Sequence, residues 1–486
     1  MEHPLTGIFV AAPSVVRVGE AFGLGVKMLT EPYETGSACY GPMPSIKGRF
    51  NVSPRGIRYM DNVVPDWNGT VAIDGGEGYD GPTSIGFDGT PTLYGHDRRP
   101  IRRVEGLRFS TPGTRFLTLR EATTGIVQRS NAIEVVADEP GERLWWGDIH
   151  SQTFFSDGLR CPEELYAFAR DEAFLDIFAL SDHAESITDR QWDYFVAATN
   201  DAYEPGRFAT LVGLEWTSRK WGHRNVYYRG AAGPILRPND PVQGELPNLY
   251  AAAREHGALV VPHHAANAEM GVDWSLGHDP EVERLVEIHS IWGNSERPGA
   301  AGNPCPIRAH GGEKAGQHVV DALARGHRYG FIGGGDIHDG RPGDELHHLR
   351  SVPQHYDTLW RQGIMGVWAP ELTREAVFDA LWNRRCFATT NVRTLLRVSV
   401  AGQPMGIQLS HAGPVPVCVH AASEVPIARA DLVRNGRDIE SIEPQTCILD
   451  WETTARPTGE TANYYVRLTR ADGNMAWSSP VWVSAP

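Results

Sequence analysis

Cysteine is scarce in this chain, and acidic residues outnumber basic ones. The six cysteines among 486 residues lie far apart, and none forms a Cys-x-x-Cys pair. This spacing disfavours a disulfide framework or a cysteine zinc knot, so we expect reduced thiols and a cytoplasmic protein. Lys and Arg total 45 against 60 Asp and Glu, which gives a formal charge of −15. That charge argues against nucleic acid or an anionic membrane as the main partner.

Long apolar runs are missing too. No stretch approaches the roughly 20 apolar residues that a membrane span requires. Residues 1–5 lack the basic segment that opens a secretion signal, so we expect no signal here. The chain also has no Gly-x-Ser-x-Gly elbow, which disfavours a serine hydrolase. Hydrophobic residues make up 41% and charged residues 22%, as in ordinary soluble proteins.

Three regions of the chain differ in their pattern of apolar residues. Residues 1–140 show short alternating runs between Gly, Pro and Asp turns, which predicts an N-terminal β-sandwich domain. Residues 141–390 alternate strand-like runs with amphipathic helices, as in a parallel α/β sheet or barrel. Residues 391–486 return to alternating runs and predict a C-terminal β-sandwich domain. The seven strand candidates of the middle region are 144–146, 176–180, 209–214, 225–228, 258–261, 285–288 and 329–332.

Helices are expected between most of these strands. The pattern predicts them at residues 162–172, 249–256, 316–325 and 373–384, the last with Thr373 at the N-cap. Residues 292–316 are rich in Gly, Pro and Asn and too long for a simple connection. This segment is therefore a candidate lid over a functional site.

Aspartate and histidine follow several of the predicted strands directly. Asp148 and His150 lead on to Asp157, and the pairs Asp182-His183 and Asp336-x-His338 follow two later strands. Strand ends gathered around a parallel barrel would bring such side chains together. Imidazole and carboxylate are ligands for divalent transition metals. The pattern therefore predicts a metal centre in the middle region.

These motifs resemble those of the polymerase-and-histidinol-phosphatase (PHP) superfamily over roughly residues 141–390. Its first motif usually reads His-x-His-Thr and then Ser-Asp-Gly, and here His150-Ser151-Gln152-Thr153 precedes Ser156-Asp157-Gly158. The later motifs follow in the family's order: Ser181-Asp182-His183, Gly213-Leu214-Glu215, Gly222-His223, Pro262-His263 and Gly335-Asp336-Ile337-His338. The Gly-Leu-Glu-Trp-Thr form at 213–217 and the segments 464–467 and 476–480 are similar to an uncharacterised branch that includes carbaryl (carbamate) hydrolases.

The resemblance implies an α/β fold, a distorted (β/α)7 barrel of the PHP type, between the two β-sandwich domains. It also implies two to three divalent ions, Mn, Zn or Fe, with Glu215 as the bridging carboxylate. By resemblance, one ion is held by Glu215, His223 and His263, a second by Asp157, His183 and His338, and a third by His150, Asp336 and Glu215.

Position 152 departs from the superfamily, because most members have histidine where this chain has Gln152. A neutral amide is a much poorer ligand than imidazole for borderline metals. The third ion site is therefore expected to be weak, altered or filled only with substrate bound. A two-metal centre is an open alternative.

The expected function is metal-dependent hydrolysis, in which metal-bound hydroxide attacks a small-molecule substrate. Phosphoester cleavage is the superfamily's commonest activity and is the first expectation. The alternatives are carbamate, ester or amide hydrolysis, and a non-catalytic binding protein with a degenerate barrel. Glu215, Asp336 and His223 are expected to be catalytic, and Asp148 and Asp182 to orient imidazoles. Substrate contacts are expected from Gln152 and from Arg219, Lys220 and Arg224, although the three basic residues fit solvated loop charges equally well.

Overall fold

The computed structural model describes residues 3–39, 56–88, 100–344, 346, 359–456 and 461–486. Strands hold 42% of these residues and helices only 13%. The helices are α1 (Pro162–Ala167), α2 (Asp189–Asp201), α3 (Leu246–Glu255), α4 (Val319–Ala324) and α5 (Arg374–Trp382), with a π-helical turn at Phe168–Glu172 and 3-10 turns at Ala184–Ser186 and Gly299–Ala301.

The first twelve strands lie before residue 140 and the remaining nineteen after it. The first set is β1 (Gly7–Ala11), β2 (Val15–Arg17), β3 (Phe22–Cys39), β4 (Gly56–Val63), β5 (Gly69–Asp74), β6 (Tyr79–Asp80), β7 (Ser84–Phe87), β8 (Ile101–Phe109), β9 (Gly113–Arg115), β10 (Thr118–Glu121), β11 (Val127–Arg129) and β12 (Ile133–Val136). The second set is β13 (Arg143–Asp148), β14 (Ile177–Ala179), β15 (Ala209–Trp216), β16 (Arg224–Tyr228), β17 (Ala258–Pro262), β18 (Leu285–Ser290), β19 (Gly293–Asn294), β20 (Gly330–Gly333), β21 (Ile364–Ala369), β22 (Cys386–Thr389), β23 (Leu395–Val400), β24 (Gln403–Pro404), β25 (Gln408–Ser410), β26 (Val415–Arg434), β27 (Arg437–Ile442), β28 (Thr446–Ala455), β29 (Ala462–Arg470), β30 (Met475–Ser478) and β31 (Val481–Ser484).

The expected α/β fold with a (β/α)7 barrel is wrong. All seven predicted strands form, as β13 to β18 and β20, but they do not close into a barrel. Strands β13, β14 and β15 pair in parallel, whereas β16 is antiparallel to both β15 and β17. Strands β18 and β20 pair in parallel in a separate three-stranded sheet with β19. The fold of the described residues is β-rich, with open sheets.

The length of one connection explains much of this difference. A parallel pair needs a crossover of a dozen or more residues, whereas an antiparallel pair needs only a turn. Residues 217–223, which join β15 to β16, are too few for a crossover, so the chain doubles back. On the other side, the unforeseen β21 pairs antiparallel with β13 and lies where a barrel would need a parallel neighbour.

One large sheet joins the middle region to the C-terminal strands. Strand β21 pairs with β22, and β22 pairs with β30, so that Phe387 lies opposite Ser478 and Thr389 opposite Ala476. The sheet continues through β29, β26 and β23 and counts 16 strands in the described part of the chain. Residues 471–474 form the turn between the antiparallel strands β29 and β30, where the Gly473 amide donates to the Arg470 carbonyl at 3.0 Å.

The N-terminal strands form three smaller sheets around their own apolar core. Leu24, Val26, Leu107 and Leu119 are fully buried there, as alternation along the strands requires. This region also holds the segment that follows His338, because Arg341 donates to Asn62 Oδ1 at 2.9 Å. Among the described helices, none is long and apolar enough to cross a lipid bilayer.

The predicted helices are confirmed, with shifted ends. The segment 162–172 is α1 followed directly by the π-helical turn. Thr373 caps α5, because its hydroxyl accepts a hydrogen bond from the Ala376 amide at 3.2 Å. A cap of this kind satisfies a backbone donor that has no partner inside the helix.

Candidate metal centre

Glu215 lies at the centre of a buried cluster of histidines. Its Oε1 is 2.9 Å from His223 Nδ1 and 3.3 Å from His263 Nε2, and its Oε2 is 3.5 Å from His183 Nδ1. The side chain of Glu215 is only 2% exposed. Each carboxylate oxygen therefore faces different imidazoles.

The antiparallel pairing of β15, β16 and β17 creates this arrangement. Glu215 lies opposite Asn225, and Arg224 lies opposite Pro262. The start of β16 therefore lies beside the ends of both neighbouring strands. His223, just before β16, and His263, just after β17, consequently reach the same carboxylate. His183 comes from the other side, where it forms an isolated parallel bridge with Glu215.

His150 and Asp336 lie at the inner side of the cluster. His150 Nε2 is 3.7 Å from Glu215 Oε2 and 3.5 Å from Asp336 Oδ1. The other ring nitrogen, Nδ1, is 3.0 Å from Oε2 of the buried Glu287. A carboxylate behind a histidine fixes the ring and its tautomer, so Nε2 is presented to the cluster.

A second group forms the outer side of the cluster. Asp157 Oδ2 is 3.4 Å from His183 Nε2, and Asp157 Oδ1 is 3.5 Å from His338 Nε2. The Asp157 side chain is 47% exposed, whereas His150 and His263 are fully buried. The cluster therefore extends from the protein interior to an opening at Asp157.

These spacings fit metal ions. Two ligand atoms that each lie about 2.1 Å from one tetrahedral ion are about 3.4 Å apart. The separations of 3.3 Å for His263–Glu215, 3.4 Å for His183–Asp157 and 3.5 Å for His338–Asp157 are close to that value. In the part of the chain that the structure describes, His150 Nε2 and both ring nitrogens of His263 are buried without a hydrogen-bond partner. Buried polar atoms of this kind are costly unless a ligand completes them.

The charges of the cluster also suit cation binding. Burial lowers the pKa of His263 to about 4, so its ring is neutral at pH 7 and its lone pair is available. Burial alone would raise the pKa of Glu215, but the surrounding histidines, His183 first among them, together outweigh burial and hold that pKa well below its usual range. The carboxylate is therefore ionised, as a bridging ligand must be.

The carboxylates of Asp148 and Asp182 accept hydrogen bonds from backbone amides and a hydroxyl, and not from imidazole rings of the described residues. Asp148 Oδ1 accepts from the His150 amide at 3.0 Å and from the Gly335 amide at 2.8 Å. Asp182 Oδ1 accepts from the Thr153 amide and from the Ser156 hydroxyl, at 2.9 and 2.7 Å. Burial raises the pKa of Asp148 to about 7 and that of Asp182 to about 6. The two aspartates fix the segments that carry His150 and Asp157.

Two glycines allow the close packing of these segments. A Cβ at Gly158 would collide with the Gln152 carbonyl, and one at Gly334 would collide with Glu287 Oε2. The Gly of the Ser156-Asp157-Gly158 motif is therefore required by the return of the chain onto residue 152.

Gln152 lies between the two carboxylates predicted to hold the third ion. Its Nε2 donates to Glu215 Oε2 at 3.1 Å and to Asp336 Oδ1 at 3.4 Å. The opposite amide orientation would turn an oxygen toward two carboxylate oxygens, which is repulsive. The amide nitrogen thus takes the place between the carboxylates that a cation would otherwise fill.

Gln152→His is expected to raise the metal content from about two ions per chain to about three. The physical reason is that an imidazole can ligate beside His150 and Asp336, whereas the amide only donates to the carboxylates. Elemental analysis after dialysis measures the content. Gln152→Ala is the control, because it removes the amide without adding a ligand. Unchanged metal content in Gln152→His would show that residue 152 does not set the number of ions.

The three basic residues that are predicted to contact substrate are not part of the metal-ligand cluster. Arg224 is buried, and its Nε is 2.8 Å from Glu283 Oε2. Lys220 pairs with Glu245 at 2.8 Å and lies over the Trp221 ring. Arg219 is exposed.

Several residues of the site were not predicted from the sequence. Glu287 is an acidic residue inside an apolar strand, a signal that sequence analysis could have used. His264 was not assigned to a metal, yet its ring lies beside His223 and His263. Trp292, at the start of the predicted lid, donates from Nε1 to Asp336 Oδ2 at 2.6 Å. Asp336 itself has a φ of 54°, a rare conformation for aspartate that is typical of functional sites.

Residues 162–296 and 324–411 match the family described as "Protein of unknown function (DUF3604)". An uncharacterised protein of Chlamydia pneumoniae is 29% identical over 406 residues, which cover 78% of this chain and 63% of that protein. A relative from Chlamydia muridarum is 28% identical over 412 residues, with the same coverage of 78% and 63%. The chain thus spans less than two thirds of the length of these curated relatives.

Comparison with solved structures gives only weak similarity. An engineered protein shares 17% identity over 18% of this chain and 20% of its own, with a TM-score of 0.15. A beta-glucuronidase of Bacteroides uniformis shares 10% identity over 99% of this chain and 61% of its own, with a TM-score of 0.16. Scores this low support no conclusion about the fold or the function of this chain.

Proposed function

We propose that this chain is a metal-dependent hydrolase of small molecules. The observation that carries the proposal is the position of Glu215 between two groups of imidazoles at ligand-like spacing, with buried ring nitrogens unpaired among the described residues. Bound divalent ions would polarise the scissile bond and lower the pKa of water from 15.7 to about 7. The order of the motifs along the chain supports a relation of the site to the PHP superfamily.

The residues divide into holding and proton-moving roles. Glu215, His223 and His263 would hold one ion, and Asp157, His183 and His338 a second. Asp157 is exposed, so substrate would approach from that side. With these assignments, each ion would have one carboxylate among its ligands, Glu215 for the first and Asp157 for the second.

Asp336 is placed to move a proton. Its Oδ2 accepts from the Trp292 indole, while its Oδ1 faces His150 and Gln152. With the Gln152 amide between the carboxylates, Asp336 would be released from ligating a third ion and could transfer a proton to a leaving group. His223 is less suited to this step because its Nδ1 already faces Glu215.

A phosphoester of a small molecule is the first candidate substrate, and an uncharged carbamate or ester is the second. One observation favours the second candidate: two of the three basic side chains that could bind a phosphate are paired with acidic residues. Arg224 pairs with the buried Glu283, and Lys220 with Glu245. An acyl substrate needs no such cation, because the ions themselves stabilise the developing oxyanion.

Protein purified without chelator is expected to carry about two divalent ions and to lose hydrolytic activity when they are removed. The experiment compares stripped protein reloaded with Mn, Zn or Fe on nitrophenyl phosphate, bis-nitrophenyl phosphate, nitrophenyl acetate and an aryl carbamate. Preference for the phosphates supports the first candidate, and preference for the acetate or carbamate supports the second. Absence of metal, with no activity regained on reloading, would contradict the proposed function.

We also propose a cytoplasmic location. The described cysteine side chains, Cys161, Cys305, Cys386, Cys418 and Cys447, are all free thiols. Free thiols are typical of reducing compartments.

A further inference from the structure

His264 lies in the metal cluster although it is adjacent in sequence to another member of it. Successive side chains along a strand point to opposite faces, so His263 and His264 would normally diverge. Strand β17 ends at Pro262, and the backbone of His264 takes a φ of 32°. This turn brings both rings to one side, with ring centroids 4.3 Å apart. The ring of His264 is also 4.8 Å from that of His223.

The strained backbone makes this arrangement informative. A positive φ is rare for a residue with a side chain and costs of order 1–3 kcal/mol. Such conformations persist where the surrounding structure requires them, and they concentrate at functional sites. Here the conformation adds a third imidazole to the ring pair already facing Glu215.

Three imidazoles gather at this side of the cluster, close enough to one another to share an ion. Ring nitrogens of His223, His263 and His264 lie within 4.8 Å of one another. Oε1 of Glu215 is 2.9 Å from His223 Nδ1 and 3.3 Å from His263 Nε2. His264 is 3% exposed, and its Nδ1 has no hydrogen-bond partner among the described residues.

We propose that His264 is the fourth ligand of the ion held by Glu215, His223 and His263. This proposal rests on the metal centre of the proposed function. It adds that the two ions have different roles. A set of three imidazoles and one carboxylate is suited to zinc or ferrous iron rather than to magnesium. It is also complete for a four-coordinate ion, which is the mark of a site that holds its metal permanently.

The two ions would therefore differ in function. The buried ion, with four side-chain ligands, would hold Glu215 and the strand ends in place. The outer group offers only Asp157, His183 and His338, and Asp157 is 47% exposed. Three protein ligands leave a coordination position for water or substrate. The outer ion would accordingly be the one that meets the substrate and the one that exchanges readily.

The test uses the full chain, stripped of metal and titrated with Zn²⁺ against a competing fluorescent chelator. Wild-type protein is expected to bind one Zn²⁺ tightly and another weakly. His264→Gly should weaken the tight step by more than about 100-fold, since loss of an outer-shell partner alone costs 10–100-fold. Glycine suits the positive φ at this position, so the substitution relieves backbone strain while removing the ring. His264→Gln, which keeps a polar side chain but is a poor ligand, should show the same loss.

Two further measurements separate ligation from packing. Added imidazole should restore tight Zn²⁺ binding to His264→Gly, because the free ring can replace the lost ligand. Cobalt-loaded wild type should show the intense visible absorption of four-coordinate Co²⁺, which His264→Gln should lose. His289→Gln is the matched control: His289 is equally buried, but its Nε2 donates to the Arg361 carbonyl at 2.9 Å outside the cluster. It should keep wild-type affinity.

The outcomes distinguish this inference from the function it rests on. Tight binding that is unchanged in both folded His264 variants would overturn the fourth-ligand assignment and leave the hydrolase proposal intact. An equal loss in His289→Gln would also overturn it, because the effect would then be general destabilisation. Failure of the wild-type chain to bind any Zn²⁺, Mn²⁺ or Fe²⁺ would instead overturn the proposed function.

Discussion

Glu215→Ala is expected to release the buried ion, to weaken binding of the outer ion, and to lower hydrolysis by about a thousandfold or more. The two oxygens of Glu215 face different imidazoles, His223 and His263 on one side and His183 on the other. Loss of this carboxylate therefore removes a ligand of the buried ion, and also the anion that faces Nδ1 of His183, a ligand of the outer ion. A thousandfold loss of rate corresponds to about 4 kcal/mol of transition-state stabilisation, within the range that metal and oxyanion interactions supply.

The measurement combines elemental analysis after dialysis with the turnover of the best substrate. Glu215→Gln tests the charge alone, since the amide keeps the size of the side chain. Glu245→Gln is the control because Glu245 is a surface partner of Lys220, and this variant should keep both ions and full activity. Two retained ions together with unchanged turnover in Glu215→Ala would refute the bridging role.

Arg224→Met is expected to destabilise the fold by about 3–5 kcal/mol rather than to alter substrate affinity. When one partner of a buried ion pair is removed, the other charge remains in the interior without a counter-charge. Arg224 is 1% exposed, and Glu283, its partner at 2.8 Å, is fully buried. Glu283 also accepts hydrogen bonds from the Tyr250 and Tyr329 hydroxyls, so the whole network depends on its charge. Urea unfolding of the variant measures the loss.

Two further variants test this prediction. Arg219→Met, on the exposed loop, should change stability by less than about 0.5 kcal/mol. The double variant Arg224→Met with Glu283→Gln should recover part of the loss, because no buried charge is left unpaired. A large rise in KM for Arg224→Met with unchanged stability would contradict the structural role and restore the substrate-binding role.

The same pair predicts a dependence of stability on pH. Burial alone would raise the pKa of Glu283, but Arg224 and His278 together outweigh burial and hold the pKa far below the usual value. A carboxyl whose pKa is lower in the folded state stabilises the fold above its unfolded pKa, about 4.3 for glutamate. This contribution is lost as the pH falls below that value toward the folded pKa. Acid should therefore cost wild-type protein more stability than it costs the double variant.

The sequence predicted individual strands well because alternation and apolar runs are local signals. It could not give their pairing. Residues 225–228 look the same in a parallel or an antiparallel strand, and only the short connection 217–223 shows that β16 must double back. The expectation of a barrel rests on the resemblance of the motifs to those of the PHP superfamily, whose fold is such a barrel. The open sheets show that the same ligand order does not require that barrel here.

The residues predicted to ligate metal are close together in the structure, because most of them lie at or near the ends of strands. The neighbours that complete the site were harder to foresee. His264 reaches the cluster only through a backbone turn at φ 32°, which no sequence pattern encodes for histidine. Trp292 meets Asp336 across 44 residues of chain. Arg224 shows the opposite case. Its position beside His223 in the sequence suggests a substrate contact, whereas its guanidinium is buried and paired with Glu283.

The pairing of β22 with β30 bears on how this protein could be cut or fused. A fragment that stopped at residue 390 would present β22 as a bare edge, and exposed edges recruit other chains into aggregates. It would also strip Glu296 of the Tyr465 and Trp477 side chains that donate to it at 2.7 and 2.8 Å. Glu296 lies only four residues after Trp292, so the damage would spread to Asp336, which Trp292 contacts in the metal centre. Truncations, domain swaps and split reporters built on this chain should therefore keep the C-terminal strands with the histidine cluster.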